Sequence, residues 1–268
     1  MLWPLKFMFK LVLRLKLIAV SMLAGMAIAF YLQLREQQKS WGVVPTDVKR
    51  SLAGDDLIAN PGVVETRSLV VDAAPAAVWP WLVQMGYGRG GWYSYDKLDI
   101  KGNSADSILA DFQELAVDDI VPTHSGGGFV VKVVDPGRAL VLYLDDELVK
   151  SQMEAAIAEK GDAALDDIDQ ILPGGMRLPG GMGDKTMPEF RATWTFILEP
   201  EAGGKTRLVE RFRVWTAEAG LPQKLGMPMM GLGVFAMTRK HMLGVKERAE
   251  GAISNGADAP ADSEPVEA

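Results

Sequence analysis

Hydrophobic positions are distributed along the chain in three regimes. From 17 to 34 no residue is charged across eighteen positions, and Leu11, Val12, Leu13 and Leu15 extend the apolar run on its N-terminal side. About twenty apolar residues at 1.5 Å rise span a bilayer core, so this run predicts one membrane-crossing helix. Period-two alternation follows at 63–71, where Glu65 and Arg67 alternate against Thr66 and Ser68, and predicts a strand. Pro75 suits a first helical turn, and 76–85 reads as a helix ended by Gly86, with Pro80 placed to bend it. A short polar helix is expected at 105–109, and strands at 128–134, 139–144, 192–199 and 206–215. Turns at 135–137 and 201–204 make these antiparallel hairpins. Helical spacing returns near the end, over 228–250. There Met230, Val234, Met237, His241 and Val245 share one side, with Phe235, Met242 and Ala249 beside them.

Five segments result: a basic N-terminus at 1–16, the span at 17–34, a polar connector at 35–60, one globular domain at 61–252, and an acidic tail at 253–268. The tail lacks large apolar residues and reads as disordered. Between the second and third hairpin strands lies an insertion, 145–189. Its first half has helical spacing over 147–171, and its 174–183 stretch is low in complexity. Strand, helices, antiparallel strands and a long terminal helix make an α+β arrangement. A curved sheet wrapped around that last helix would enclose a cavity.

Charge orients the span. The first forty residues hold six basic side chains against Glu36 alone, and four of them precede the apolar run. The positive-inside bias then keeps the N-terminus cytoplasmic and sends the body outward. Ala27-Ile28-Ala29 also fits a signal-peptidase site, so a cleaved signal and a secreted body stand as the alternative. The rest of the chain holds 22 basic and 34 acidic side chains, a net of −12. That excludes nucleic acid as a partner, because phosphates need a basic face. The absence of Cys and the presence of only two His exclude disulfides, thiolate metal sites and multi-histidine sites. No metal or cofactor is expected.

Candidate chemistry is sparse. Gly86, Gly88 and Gly90 imitate a nucleotide fingerprint but follow a helix instead of linking a strand to one, so they read as a cap and a turn. His124, in 121–126, reads as a loop histidine before a strand. Trp92, Tyr93 and Tyr95 are candidates for a ligand mouth with Asp96 as a polar anchor, or for sheet-edge packing. Strand phase puts Trp194, Phe196 and Leu198 on one face, and Leu208, Glu210, Phe212 and Val214 on the matching face of the next strand. An inward Glu210 must be paired with an arginine, be protonated, or meet a ligand. Arg207, Arg211 and Arg213 on the opposite face read as solvated. Met237 and His241, on the last helix among several other methionines, complete the ligand-lining candidates.

The stretch Pro75-Ala76-Ala77-Val78-Trp79-Pro80-Trp81-Leu82-Val83-Gln84-Met85-Gly86, followed by Arg89-Gly90-Gly91-Trp92-Tyr93-Ser94-Tyr95-Asp96, resembles the SRPBCC, or START-like helix-grip, superfamily. It is most similar to the bacterial polyketide cyclase/dehydrase-like branch. Gly54-Asp55-Asp56-Leu57, Gly127-Gly128-Phe129, Pro136-Gly137-Arg138-Ala139-Leu140, the strand 194–199 and Thr206-Arg207-Leu208 add to the likeness. It covers 41–250 without the insertion and implies a helix-grip fold. It does not imply one activity, since the superfamily includes lipid carriers, hormone receptors and cyclases. The leading expectation is a membrane-tethered module binding a hydrophobic small molecule or lipid. The alternatives are a cyclase- or hydrolase-like enzyme using Glu210, His124 or Asp96 as acid or base, and an envelope domain that binds a protein partner of unknown identity through the acidic insertion.

Overall fold

The computed structural model describes residues 3–96, 103–161, 189–217 and 221–251. Helix α1, Trp3–Lys39, contains the stretch Arg14–Leu34, 21 residues long and apolar enough to cross a membrane, a property that anchors and signal sequences share. At 1.5 Å per residue it spans about 32 Å, a bilayer's hydrocarbon thickness. A short helix α2, Pro45–Lys49, and a 3-10 turn, Asp55–Leu57, follow. Then come β1, Val63–Val71, and α3, Pro75–Val83. The remaining strands are β2, Ile120–His124; β3, Gly127–Asp135; β4, Ala139–Asp145; β5, Phe190–Glu201; and β6, Lys205–Thr216. Helix α4, Asp146–Lys160, leaves β4, and α5, Leu221–Ala249, closes the fold.

All six strands form one antiparallel sheet in the order β1-β6-β5-β4-β3-β2, and α3 and α5 pack together against its inner face. This is the α+β, helix-grip arrangement. Inner-face residues follow the register: Arg67 faces Glu210, which faces Phe196, which faces Leu140, and one step along Phe212 faces Trp194, which faces Leu142. The core is this face together with Val78, Trp81, Leu82 and Met85 of the α3 segment and Met242 and Val245 of α5. Each such aliphatic or aromatic side chain contributes about 1.5–3 kcal/mol on burial.

The outer face differs from expectation. Arg207, Arg211 and Arg213 are covered, and Arg211 is only 2% exposed. The connector, expected to be a polar tether, lies across this face as an ordered strap. Arg211 donates to Asp55 at 2.6 Å, to the Arg50 and Asp47 carbonyls at 2.8 and 2.5 Å, and to Thr66 Oγ1 at 3.0 Å. Arg213 meets Asp55 at 3.1 Å and donates to the Ile58 carbonyl at 2.7 Å, while Arg207 pairs with Asp47. Long cationic side chains on a strand read as solvated only when nothing anionic returns to cover them. Here Asp47 and Asp55 do. Gly42, at φ +72°, permits the contact, because a Cβ there would overlap the Ser68 carbonyl.

Three local expectations change. Residues 105–109 form no helix, and a 3-10 turn occupies Ala110–Phe112. The Gln84 side chain takes the backbone groups a helix would use, accepting from Leu109 N at 2.9 Å and donating to the Ser107 carbonyl at 3.2 Å. His124 ends a strand instead of sitting in a loop. Pro122 obscures β2 in the sequence, yet an edge strand tolerates it. Helix α5 begins at Leu221, earlier than 228, with Pro222 in the first turn, where proline is tolerated. The first part of the insertion is integral to the fold. Asp145 caps α4 by accepting from Leu148 N at 2.8 Å, and Gln152 bonds both backbone groups of Gly128. The 174–183 stretch and the 253–268 tail lie outside the described residues.

Candidate functional site

Burial grades along the inner face. Phe196, Leu198, Leu208 and Leu140 are fully enclosed at one end, whereas Trp194, Phe212 and Leu144 are only partly covered at the other. The fully enclosed residues lie toward the C-terminal end of α5, beside Met242 and Val245, and the partly covered ones lie toward Phe235.

At the transition lies a buried charge cluster. Arg67 and Glu210 are both 0% exposed and 3.4 Å apart. Arg67 also pairs with Glu65 and donates from Nε to the Gln38 carbonyl at 3.1 Å, and its guanidinium lies 5.4 Å from the Phe235 ring centroid. Glu210 accepts from Trp194 Nε1 at 2.6 Å. Burial raises the Glu210 pKa, and Arg67 and the Trp194 hydrogen bond oppose that rise. Two carboxylates share one guanidinium, so the cluster is anionic by one charge when both are ionised.

Beside it His241 sits in an aromatic enclosure. Its ring is 5.6 Å from Trp194, 5.6 Å from Phe196, 6.1 Å from Tyr93 in a stacked arrangement, and 6.4 Å from Trp92. Trp92 in turn stacks on Trp194 at 5.4 Å. Burial depresses the His241 pKa to about 4.

The sequence candidates thus divide. Trp92, Trp194, Phe196, Glu210 and His241 converge. Phe212 lies beside them at the partly covered end, and Met237 is one helical turn before His241 on α5, its carbonyl accepting from Ser94 Oγ at 3.0 Å. Tyr93 backs the His241 ring and donates its hydroxyl to the Trp81 carbonyl at 3.0 Å, with its own pKa raised by burial. Tyr95 is 46% exposed and faces solvent. Asp96 accepts from Ser104 N at 2.8 Å and from Ser104 Oγ at 2.5 Å. His124 Nδ1 accepts from Gly126 N at 3.0 Å inside the β2–β3 turn, and burial lowers its pKa. The three proposed acid–base groups each have a different set of partners. The sequence reading missed Arg67, Gln38 and Phe235. Arg67 was detectable in principle, since it shares the inner phase of β1, but only the β1–β6 register reveals it opposite Glu210.

Among the described residues no cluster of three His, Asp or Glu side chains could hold a metal ion. No protein-family model matches the chain, and no curated protein matches it. Solved structures of low similarity are found. A conserved protein from Geobacillus kaustophilus is 11% identical with a TM-score of 0.36, over 72% of this chain and 97% of that one. Protein MLL2253 from Mesorhizobium loti is 13% identical at 0.32, over 69% and 96%. CalU16 from Micromonospora echinospora is 14% identical at 0.25, over 72% and 86%. The fold assignment rests on this chain's own strand order, register and helix packing.

Proposed function

We propose that this chain is a membrane-tethered binding module, holding a hydrophobic small molecule or lipid between the inner sheet face and α5 without transforming it. The observation that carries the reading is the bond from Arg67 Nε to the Gln38 carbonyl. It fastens the end of the membrane-length helix to the polar threshold of the groove. Gln38 lies four residues beyond Leu34, about 6 Å along the helix. The half-covered aromatic end of the groove is thereby held at the bilayer surface, where an apolar molecule enters without crossing water. The tether is α1, with its N-terminus cytoplasmic and the domain outside. The domain needs no catalytic group for this role. Glu210, His124 and Asp96 are each committed to separate partners, which weighs against the enzymatic alternative.

Native mass spectrometry of the full chain extracted in mild detergent tests the reading. A retained apolar adduct is expected, lost from a Trp194→Ala/Phe212→Ala variant. A wild-type protein that carries no adduct and takes up none from added lipid would contradict it.

A further inference from the structure

His241 has one ring nitrogen in use and one idle. Nδ1 is 2.7 Å from the Trp92 carbonyl, which can only accept, so Nδ1 carries the proton and Nε2 presents a lone pair. Nε2 is buried with no hydrogen-bond partner, and the residue is 2% exposed. Buried polar atoms are paired in most folded proteins, so an idle acceptor in an aromatic enclosure is a place where a donor gains a hydrogen bond. Of the four rings around it, Trp194 alone is partly exposed, and it marks the side from which a molecule arrives.

Given the groove's proposed binding role, we infer that His241 Nε2 is the anchoring acceptor for the ligand, and that the ligand is a neutral apolar molecule bearing a hydroxyl or N–H donor. The chemistry narrows the class. A carboxylate or phosphate would set its lone pairs against that of Nε2 and lose its hydration among aromatic rings. A hydrocarbon or an ether would leave Nε2 unpaired. A free cation would lose its hydration among Trp92, Trp194 and Phe196. A hydroxylated ring or chain satisfies both the aromatic walls and the single acceptor.

The full chain in lipid nanodiscs is titrated calorimetrically with 2-naphthol and with 2-methoxynaphthalene, in which a methyl group replaces the donor proton. The ratio of the two affinities is compared between wild type and His241→Phe, which cancels their unequal partition into lipid. Wild type is expected to favour 2-naphthol, and His241→Phe to reduce that ratio roughly five- to tenfold while keeping 2-methoxynaphthalene binding. In parallel, protein labelled with 15N-histidine gives signals from His124 and His241 only. The His241 Nε2 signal should move with 2-naphthol and stay with 2-methoxynaphthalene, a readout that holds even if the variant does not fold. Binding of both probes with an unchanged ratio, or an unmoved Nε2 signal, overturns the assignment and leaves the groove standing. An Nε2 already shifted by a buried water that neither probe displaces also overturns it. Failure of both probes to bind wild type removes the groove reading as well.

Discussion

Replacing Arg67 by Met keeps most of the side-chain volume and removes the cation paired with Glu210. Both groups are fully enclosed, so the carboxylate left behind has Trp194 Nε1 as its remaining donor. Removing one partner of a buried pair costs about 3–5 kcal/mol, mainly as the uncompensated charge. Glu65 also loses its partner but, with its side chain 13% exposed against 0% for Glu210, adds less to the loss. The sign of the pH dependence follows from Glu210, whose pKa burial raises and Arg67 restrains. Without Arg67 the folded-state pKa rises further, so the folded protein binds a proton more tightly than the unfolded chain. Stability is then highest below the unfolded carboxylate value and falls as pH rises through the folded one. The deficit of Arg67→Met should therefore be smaller at pH 5 than at pH 8, where about 3–5 kcal/mol is expected. Adding Glu210→Leu should recover most of the pH 8 loss. Chemical denaturation of the full chain in detergent, followed by tryptophan fluorescence, reads both. A loss below about 1 kcal/mol at both pH values, or one larger at pH 5, would refute a buried, coupled pair.

Asp55→Ala removes the carboxylate shared by Arg211 and Arg213 and should cost about 2–4 kcal/mol, with new proteolytic cleavage in 42–58. A solvated arginine face would lose less than about 1 kcal/mol. Gly244→Ala would gain up to about 1 kcal/mol in an open helix. Here its Cβ meets the backbone of Tyr93, so a net loss of about 1–3 kcal/mol is expected by thermal denaturation. His241→Gln should flatten one part of the stability–pH curve. The imidazole falls from 6.5 free to about 4 folded, so the folded state binds fewer protons and wild type loses stability as pH drops from 6.5 toward 4. The difference between the two proteins across that window should approach about 3 kcal/mol, and parallel curves would argue against a buried neutral ring.

Strand phase made much of the inner face legible. Alternation alone assigns Trp194, Phe196, Glu210 and Phe212 to one side, and register places them there. Helical spacing likewise brought His241, Met242 and Val245 to the buried side of α5. What alternation cannot carry is a partner distant in sequence. Arg67 and Glu210 are 143 positions apart, and Arg211 and Asp55 are 156 apart. The outer arginines misled for the same reason: alternation marks a second face but not what later covers it. Beneath the strap, Thr193 and Thr195 are also buried, so polarity did not signal exposure. The 105–109 segment failed because a side chain, Gln84, substituted for backbone pairing.

Photocrosslinking in membranes tests the groove most directly. A fatty alcohol carrying a terminal diazirine, added to membranes holding the full chain, should label Trp194, Phe212 and Met237, as read by peptide mass spectrometry. Labelling should fall when 2-naphthol is added. Adducts confined to the 14–34 span, with none on the inner sheet face, would contradict a binding module at the membrane surface.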